Sequence, residues 1–517
     1  MQRVIDIILT DLRYLIGDLG KHGGLIGPSI YDTAQVLRFA PPSEGVWPAL
    51  EWLEQQQRVD GGWGDPAVPR ARDLPTLAAM LALHQYGKRK VTRAAIKAGL
   101  VFLQQQAPHW KGALSDDIPV GSELLLPRLL EEAHAVGLNI PQEPYGALIA
   151  LGARRRQMIT RMNIPSATPV LHSWEGWGTE PVLSQIDETG GIGHSPSATA
   201  AWLRAAGDRP ELLGASLAAR NYLERASGAT GIDIPGVVPT VWPINRFEQS
   251  FALYMLLLGG LLDHPALRRA VRTQIDELER AMRPNGIAMS DIFLPDGDDT
   301  AAALAVLHST GRAIDIGAMQ GFAHENHFCA YLGELQPSVS VTAHAAHTLA
   351  LLGHEHTGAL DYLVQHQQPD GRWNGDKWNG SWLYTTSQVV VALSGAEHRK
   401  ALKLALDALL TRQYPNGSWG THNATIEETA YGILGLRALL AGGIGDSAAA
   451  DALADAERWM LAQYRPFQFS SFTGWLGKEM YRPLRLARMI ELVATLPSTE
   501  ALPREHIMLP THEYLLA

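Results

Sequence analysis

Apolar residues recur at spacings of three and four residues along most of this chain. That spacing places them on one face of an α-helix, whereas the two-residue alternation of a half-buried strand is nearly absent. Clusters of Gly, Pro, Asn and Asp interrupt the pattern at intervals of roughly 20 to 50 residues, where they should end the helices. The hydrophobic pattern therefore predicts an all-α protein, with clear helical segments at 76–83, 124–135, 198–206, 301–307, 344–352, 401–410, 429–440 and 448–461.

A seven-residue pattern, Q-x-x-x-G-x-W, follows predicted helices three times. We expect its glutamine to bond open backbone groups at a helix end and its tryptophan to cover the next helix pair. The pattern is therefore a structural repeat rather than a catalytic motif. Its clear copies begin at Gln57, Gln367 and Gln413, and weaker copies begin at Gln104, Gln185 and Gln463.

Copies of this repeat near both ends of the chain, with a gap between them, predict two helical barrels. A chain of 517 residues also exceeds the size of a single ordinary core. We place the first barrel at 21–215 and the second at 216–517. The N-terminal helix, within 1–20, is expected to join the second barrel.

Composition and charge limit the classes of partner. The 46% hydrophobic and 19% charged residues suit a globular protein with a large interior. A net charge of −10 and the lack of a Lys/Arg-rich block argue against nucleic acid as a partner. The single cysteine, Cys329, excludes a disulfide framework and favours a reducing compartment.

The N-terminal run MQRVIDIILTDLRYLIG contains acidic residues and lacks a small-residue cleavage site, so a secretory signal is not predicted. The longest apolar run, at 251–262, is shorter than the about 20 residues that a membrane span needs. We therefore expect a cytoplasmic protein without stable membrane insertion.

Three carboxylates stand close together in the run PDGDDTA, at Asp296, Asp298 and Asp299. Like charges this close cannot all stay ionised, so at least one pKa should rise. A carboxylic acid that keeps its proton at neutral pH can act as a Brønsted acid. The alternative is a helix start decorated with acids, which the helix dipole favours. The spacing alone leaves both interpretations open.

Taken with the repeats, the D-x-D-D cluster resembles the class II terpene cyclases, and most closely the bacterial class II diterpene cyclases of the squalene–hopene cyclase superfamily. The resemblance extends over nearly the whole chain. It implies two (α/α) barrels, called γ and β, with the cavity between them and no ionising α domain. Matching segments, in order, are SIYDTA at 29–34, PVGSE at 119–123, LHSWEG at 171–176, SPSATA at 195–200, VPTVWP at 238–243, DKW at 376–378 and WLGKEMY at 475–481.

The resemblance implies a proton-initiated cyclisation of geranylgeranyl diphosphate in which the diphosphate is retained. The family's proton donor, the middle carboxyl, corresponds to Asp298, while Asp296 and Asp299 would hold its geometry. His344 falls where bacterial cyclases place a histidine that hydrogen-bonds the acid. From its Ala-rich helix alone, His344 fits a buried core residue better than a catalytic one, and only the resemblance reverses that preference. The chain lacks the acid-rich motifs of ionising synthases, so we expect a separate class I terpene synthase to consume the product.

This chain differs from some relatives in one of the two residues that end the family's reaction. Relatives that make ent-copalyl diphosphate pair the His of L-H-S-x-E-G with the Asn of V-P-N-V around a water. Here His172 is kept but Thr240 replaces the asparagine. A hydroxyl is shorter than a carboxamide and cannot both donate an amide N–H and accept through a carbonyl. Slower deprotonation would allow hydride and methyl shifts. We expect a rearranged kolavenyl diphosphate, with halimadienyl and copalyl diphosphate as alternatives.

Aromatic residues are candidates for stabilising cations in a dry cavity. Trp242, Trp382 and Tyr384 are the candidates for substrate binding, although each of them taken singly fits the core or the repeat scaffold better.

The retained diphosphate needs cations. Lys377 and Lys478 stand within family motifs and are candidates to bind it directly. Mg²⁺ prefers hard oxygen ligands, usually one or two carboxylates together with phosphate oxygens. Asp116, Asp117 and Glu123 are the acidic candidates, with an exposed acidic loop as the alternative.

Three other functions fit the sequence less well. A squalene-type triterpene cyclase uses the same acid but no diphosphate, and a helical-barrel binding module needs no acid cluster. An (α/α)-barrel glycosidase needs carboxyls about 5–10 Å apart on different segments, which a contiguous D-x-D-D does not match.

Overall fold

The computed structural model describes residues 2–114, 118–334, 336–395 and 397–497. Its architecture confirms the all-α prediction, since the strands in this part of the chain are one antiparallel pair of two residues each. The same residues contain no helix that is both long and apolar enough to cross a membrane.

The N-terminal half of the chain contributes one long helix and then a first barrel. Its helices are α1 Gln2–Asp18, α2 Ile30–Phe39, α3 Trp47–Gln55, α4 Asp73–Tyr86, α5 Lys90–Gln106, α6 Ser122–Ala135, α7 Gly146–Ile159, the 3₁₀ helix Pro169–Gly176, α8 Pro196–Ala206 and α9 Leu213–Gly228. In the first barrel, α2, α4, α6, the 3₁₀ helix and α8 pack in sequence, and α8 returns to α2. Helices α3, α5, α7 and α9 lie outside this ring.

The second barrel follows the same plan with six inner helices. Its elements are α10 Asn245–Leu258, α11 Arg268–Ala281, α12 Gly297–Ser309, α13 Gly317–Gln320, α14 Val339–Leu351, α15 Thr357–Gln365, α16 Trp382–Leu393, α17 Arg399–Arg412, α18 Ile426–Ala441, α19 Ser447–Gln463, β1 Trp475–Leu476, β2 Met480–Tyr481 and α20 Leu484–Thr495. The inner helices pack in the order α10, α12, α14, α16, α18 and α20. The ring is closed because α20 packs against α10.

Sequence pattern explains which helices lie inside. Every residue of α16 is buried, and this helix is apolar or small and polar on all sides. An outer helix such as α11 buries only one stripe, formed by Val271, Gln274, Ile275 and Leu278, and presents its charges to water. A helix that is apolar all round must be surrounded by other helices, whereas an amphipathic one can cover them.

The apolar cores show how the chain is divided. Helix α1 packs on α11 and α20, so its apolar face belongs to the core of the second barrel. Helix α9 packs on α8 in the first barrel, and the boundary drawn at 215/216 therefore falls inside α9. After α9, Val238 still packs in a core of the first barrel, and Val241 is the first residue of this segment that packs in the core of the second barrel.

The three clear repeats adopt one geometry. In the first, the Gln57 side-chain amide donates to the carbonyl oxygens of Gly61, at 2.8 Å, and Ala95, at 2.9 Å. The Trp63 indole N–H donates to the Leu53 carbonyl at 2.7 Å. The repeats at 367–373 and 413–419 make the equivalent bonds. Each repeat thus ties the end of one outer helix to the next outer helix.

The repeat requires a glycine because its backbone passes close to the backbone of the next outer helix. Gly371 has φ +89°, and a Cβ there would lie 2.1 Å from the Leu404 carbonyl oxygen. Replacing Gly371 by Ala should lower the free energy of unfolding by about 1–3 kcal/mol, because it adds a steric clash to a left-handed backbone. Urea unfolding followed by circular dichroism would measure the change.

Gly353→Ala is the matched control, since Gly353 has φ +70° but open space around its Cβ position. The control should lose less stability than Gly371→Ala. Equal losses in the two variants would show that the close approach does not constrain the repeat.

Candidate active site

The three aspartates lie where an extended segment enters α12. Asp296 is the N-cap residue, and its Oδ1 accepts the backbone N–H groups of Asp298, at 3.1 Å, and Asp299, at 2.8 Å. Gly297 occupies the x position of D-x-D-D because a Cβ there would meet the Cys329 carbonyl oxygen at 2.5 Å. The cluster is therefore a helix start as well as an acid cluster, with the capping done by Asp296.

Asp296 and Asp299 form the buried part of the cluster. Ser250 on α10 donates its hydroxyl proton to Asp299 Oδ1. Burial raises the pKa of Asp299 to about 7, despite the opposing hydrogen bond from Ser250. Burial, reinforced by the charge of Asp299, raises the pKa of Asp296 well above its usual range. Around neutral pH the two carboxyls hold at least one proton between them.

Asp298 is the more accessible of the three carboxyls, with 13% of its side chain exposed. Its Oδ1 lies 2.6 Å from Nδ1 of His344, which is fully buried on α14. The other ring nitrogen of His344 lies 3.1 Å from Oε1 of Gln388 on α16. Three adjacent inner helices of the second barrel thus bring together the predicted acid, its histidine and a glutamine.

An aromatic cavity opens onto the aspartates. The ring centroids of Phe247 and Trp475 are 5.0 Å apart at an edge-to-face angle, and Phe251 lies 4.8 Å from Phe247. Such rings can stabilise a cation by their π-density while they keep water out. The lining consists of Val241, Ile244, Phe247, Phe251, Met289, Asp296, Asp298, Asp299, Ala330, Tyr331, Trp378, Trp475 and Tyr481.

A second cavity, of about 380 Å³, lies between the two barrels. It shares Tyr331 and Trp378 with the aromatic cavity, so the two spaces are neighbours. One wall comes from residues of the first barrel between 118 and 124 and between 155 and 173, and the other from Tyr331, Gly333, Glu334, Gln336, Lys377 and Trp378 of the second barrel. We call this space the interbarrel mouth.

Charged side chains line the interbarrel mouth in two pairs. Glu123 Oε1 lies 2.6 Å from Arg155, and Lys377 Nζ lies 2.5 Å from Glu334. The structure therefore brings Lys377 and Glu123, two predicted diphosphate or metal residues, to the same space. Asp116 and Asp117 lie outside the described residues.

The described residues hold no group of three His, Cys, Asp or Glu side chains arranged around a metal. The carboxylates at the mouth, Glu123 and Glu334, are nevertheless hard oxygen donors of the type that Mg²⁺ accepts together with phosphate oxygens. The carboxylate oxygens at the interbarrel mouth are therefore chemically suited to bind Mg²⁺ together with the oxygens of a diphosphate.

His172 and Thr240 do not form a pair. His172 Nδ1 lies 3.0 Å from the Gly193 carbonyl oxygen, so this nitrogen carries the proton and Nε2 keeps its lone pair. Burial away from water is the main cause that lowers the pKa of His172, to about 3, and the positive charge of Lys478 is the second cause. The buried Thr240 hydroxyl finds no hydrogen-bond partner in the part of the chain that the structure describes.

The nominated aromatic residues take different places. The Tyr384 ring packs edge-on to His344, with centroids 6.2 Å apart. Trp242 instead donates its indole N–H to the His22 carbonyl, and the Trp382 ring packs under the Arg372 guanidinium. None of these three side chains is among the residues that line the aromatic cavity, although the Tyr384 ring contacts the Trp475 ring of that lining, with centroids 5.3 Å apart.

Lys478 is buried away from the interbarrel mouth. Its ammonium group bonds Glu175 at 2.9 Å, Ser195 at 2.7 Å and Ser197 at 2.6 Å, and lies 3.6 Å from Asp32. Burying a cation is tolerated when it is paired and fully hydrogen-bonded. The structure therefore gives Lys478 a role in joining the barrels, and its three donors have no capacity left for a diphosphate.

Several residues of the site were not among the sequence candidates. Trp475 and Trp378 stood inside quoted motifs, but no pattern distinguished them from Trp242. Ser250 and Gln388 could have been noticed as polar residues next to long apolar runs, FALYMLLL in α10 and VVVAL in α16. Buried polar groups need partners, and here those partners are the acid cluster and its histidine.

Comparison with known proteins shows the family of the chain. The family model described as the squalene-hopene cyclase C-terminal domain matches residues 328–438. A (+)-kolavenyl diphosphate synthase from Herpetosiphon aurantiacus is 45% identical over 515 residues, covering 96% of this chain and 99% of that protein. An ent-copalyl diphosphate synthase from a Streptomyces species is 32% identical, covering 93% of each chain.

Among solved structures, ent-copalyl diphosphate synthase from Streptomyces platensis superposes with a TM-score of 0.77 at 29% identity, covering 95% of this chain and 99% of that one. Two helical barrels with a D-x-D-D acid cluster on an inner helix define a class II terpene cyclase. The full-length relatives narrow the class further. This chain belongs to the bacterial class II diterpene cyclases, and it is therefore a diterpenyl diphosphate synthase, an intramolecular lyase or isomerase.

The buried aspartate pair makes stability depend on pH. A carboxyl whose pKa is raised by folding stabilises the fold at low pH and loses that contribution as the pH rises through its folded value. Asp299→Asn should therefore gain stability relative to wild type as the pH rises from about 4 to beyond about 7. Urea midpoints measured at several pH values would show the divergence.

Asp361→Asn, on the exposed face of α15, serves as the control and should stay parallel to wild type. A difference between Asp299→Asn and wild type that does not change with pH would contradict the raised pKa.

Proposed function

We propose that this enzyme protonates the terminal double bond of geranylgeranyl diphosphate with Asp298 and cyclises the chain with the diphosphate retained. The observation that carries the proposal is the hydrogen bond between Asp298 and the buried His344 beside the aromatic cavity. The relatives named as copalyl and kolavenyl diphosphate synthases support a prenyl diphosphate as the substrate class.

In the first step, the O–H bond of Asp298 breaks and its proton adds to the terminal alkene carbon. The electron pair stays on the carboxylate, and a tertiary cation forms on the neighbouring carbon. Attack by the next two double bonds closes two rings and moves the positive charge inward. The final cation then transfers a proton to a basic group or to water, and the electron pair of the broken C–H bond forms the product alkene.

The surroundings of Asp298 favour this transfer. The nearby Asp296 and Asp299 carry negative charge between them, which stabilises the cation as it forms. The edge of the cavity is aromatic, so little water can reach the cation and capture it. The acid cluster is thus placed to start the reaction and to limit its side reactions.

The interbarrel mouth suits the diphosphate. Arg155 and Lys377 would bind its oxygens, while Glu123 and Glu334, with Asp116 and Asp117 as further candidates, would hold Mg²⁺. Mg²⁺ supplies charge that neutralises the diphosphate. With the charged head at the mouth, the apolar chain can reach the acid in the adjoining cavity.

Kolavenyl diphosphate is the proposed product. Thr240 leaves His172 without the carboxamide partner that a copalyl-forming pair would use, and the relative from Herpetosiphon aurantiacus is named for the kolavenyl skeleton. Copalyl and halimadienyl diphosphate are the alternatives. A class I terpene synthase would then ionise the retained diphosphate, and the single buried cysteine is compatible with a cytoplasmic reaction.

Asp298→Asn should lower kcat for geranylgeranyl diphosphate by at least about 10³-fold, because an amide cannot donate a proton to an alkene. The reaction with Mg²⁺ would be stopped, dephosphorylated and quantified by gas chromatography and mass spectrometry. Asp361→Asn should retain full activity. An active Asp298→Asn enzyme would remove Asp298 from the role of acid.

Thr240→Asn should move the product towards copalyl diphosphate, because the carboxamide can hold a water beside the free Nε2 of His172. Thr240→Val, which fills the same space without a polar group, is the control and should keep the rearranged skeleton. Products would be identified by NMR after dephosphorylation. The same product mixture from all three enzymes would contradict a role for residue 240 in termination.

A further inference from the structure

Gln388 is a polar side chain in the inner ring of the second barrel. It is 1% exposed on α16, a helix whose residues are all buried. Its amide nitrogen lies 3.3 Å from Ser387 Oγ, and that hydroxyl donates its own hydrogen to the Tyr384 carbonyl at 2.8 Å. Ser387 must therefore accept from the amide nitrogen. This orients the amide oxygen of Gln388 towards His344.

The orientation of the amide determines the state of the imidazole. Because the amide oxygen of Gln388 can only accept, Nε2 of His344 must carry a hydrogen in every protonation state of this arrangement. The nitrogen that faces Asp298, Nδ1, is then the position that gains or loses a proton. With both nitrogens protonated, Nδ1–H donates to Asp298 Oδ1, and a transferable proton can reside on Oδ2.

We propose that Gln388 is a positioning residue for the acid: its uncharged carbonyl orients His344 against Asp298 and keeps the imidazolium charge available to Asp298. This inference rests on the proposed function of Asp298. An adjacent positive charge strengthens a carboxylic acid by stabilising the carboxylate that remains after proton transfer. A carboxylate in place of the amide would neutralise that charge, whereas a hydrocarbon would leave Nε2–H without a partner.

Other groups around His344 do not replace Gln388. The rings of Phe251 and Tyr254 on α10 pack edge-on to the imidazole, and the Tyr254 hydroxyl is bonded to His347 at 2.7 Å. Among the described residues, Gln388 is the hydrogen-bond partner of His344 Nε2. The titratable groups that face His344 from the packed helices are Asp298 and Asp299 on α12, Tyr254 on α10, Tyr384 on α16 and His347 on α14 itself.

The proton balance of the step is complete within this arrangement. The Asp298 Oδ2–H bond breaks as the substrate C–H bond forms, and the resulting carboxylate keeps the hydrogen bond from His344 Nδ1–H. After the product leaves, a proton from water restores the acid. Gln388 exchanges no proton at any point, which is why its effect should appear in the pH dependence of kcat rather than as a lost catalytic proton.

The test compares Gln388→Glu, which keeps the shape, with Gln388→Leu, which removes the acceptor. Steady-state kinetics with geranylgeranyl diphosphate and Mg²⁺ would be measured from about pH 5 to about pH 9, the range in which histidine titrates. We expect kcat to fall at least about tenfold in both variants, with KM changed less than about twofold, because residue 388 lies away from the interbarrel mouth.

The pH profiles should separate a positioning role from a structural one. In Gln388→Glu, the fall of kcat at high pH should move to higher pH, because the carboxylate stabilises the imidazolium. In Gln388→Leu it should move to lower pH, because the unsatisfied Nε2–H disfavours the charged ring. Unmoved profiles in a folded Gln388→Glu enzyme, or wild-type kcat in either variant, would overturn the inference.

Two further enzymes complete the experiment. Gln106→Leu removes a buried amide that bonds the Pro69 carbonyl in the first barrel, and it should show the wild-type pH profile. Asp298→Asn separates the two proposals. Activity in Asp298→Asn would contradict the proposed function itself, whereas an inactive Asp298→Asn beside unaffected Gln388 variants would contradict only the role of Gln388.

Discussion

The site depends on the repulsion among three carboxylates that are held together at the start of a buried helix. Burial and mutual charge prevent Asp296 and Asp299 from both ionising, so around neutral pH this pair keeps at least one proton and carries at most one negative charge. Asp298 differs from this pair in its contacts, because it lines the aromatic cavity and its Oδ1 lies 2.6 Å from Nδ1 of His344. The three acids therefore differ in role because their neighbours differ. Asp296 caps α12, Asp299 shares a proton with Asp296, and Asp298 is the proposed proton donor.

The double-barrel architecture supplies what this chemistry needs. Inner helices that are apolar on all sides can bury a few polar residues in fixed positions, and Ser250, His344 and Gln388 occupy such positions on three of them. Aromatic side chains from α10 and from the strand β1 close the space above the acid. The charged groups stay at the interbarrel mouth, so the apolar chain and the diphosphate of one substrate meet different environments.

Motif residues divide between chemistry and assembly. The segments SIYDTA, LHSWEG, SPSATA and WLGKEMY are remote in sequence, yet Asp32, Glu175, Ser197 and Lys478 from these segments meet in one buried network that joins the barrels. From the sequence, a lysine in such a motif that joins the barrels cannot be distinguished from a lysine that binds the diphosphate, because both roles use the same ammonium group. Its complete burial and its saturated hydrogen bonds assign it to the interface.

The sequence by itself determined the helical class, the repeat and the acid cluster, because helical period, the glycine turn and adjacent aspartates are all encoded in short stretches. The Asp298–His344 pair also followed from family resemblance, and the structure brings its two members within hydrogen-bond distance. Only the tertiary structure decided that Asp296 caps α12, that Gln388 faces His344, and that Trp475 rather than Trp242 lines the cavity. Those outcomes depend on which faces of distant helices meet, and hydrophobic period shows that a helix is buried without showing what lies opposite each polar side chain.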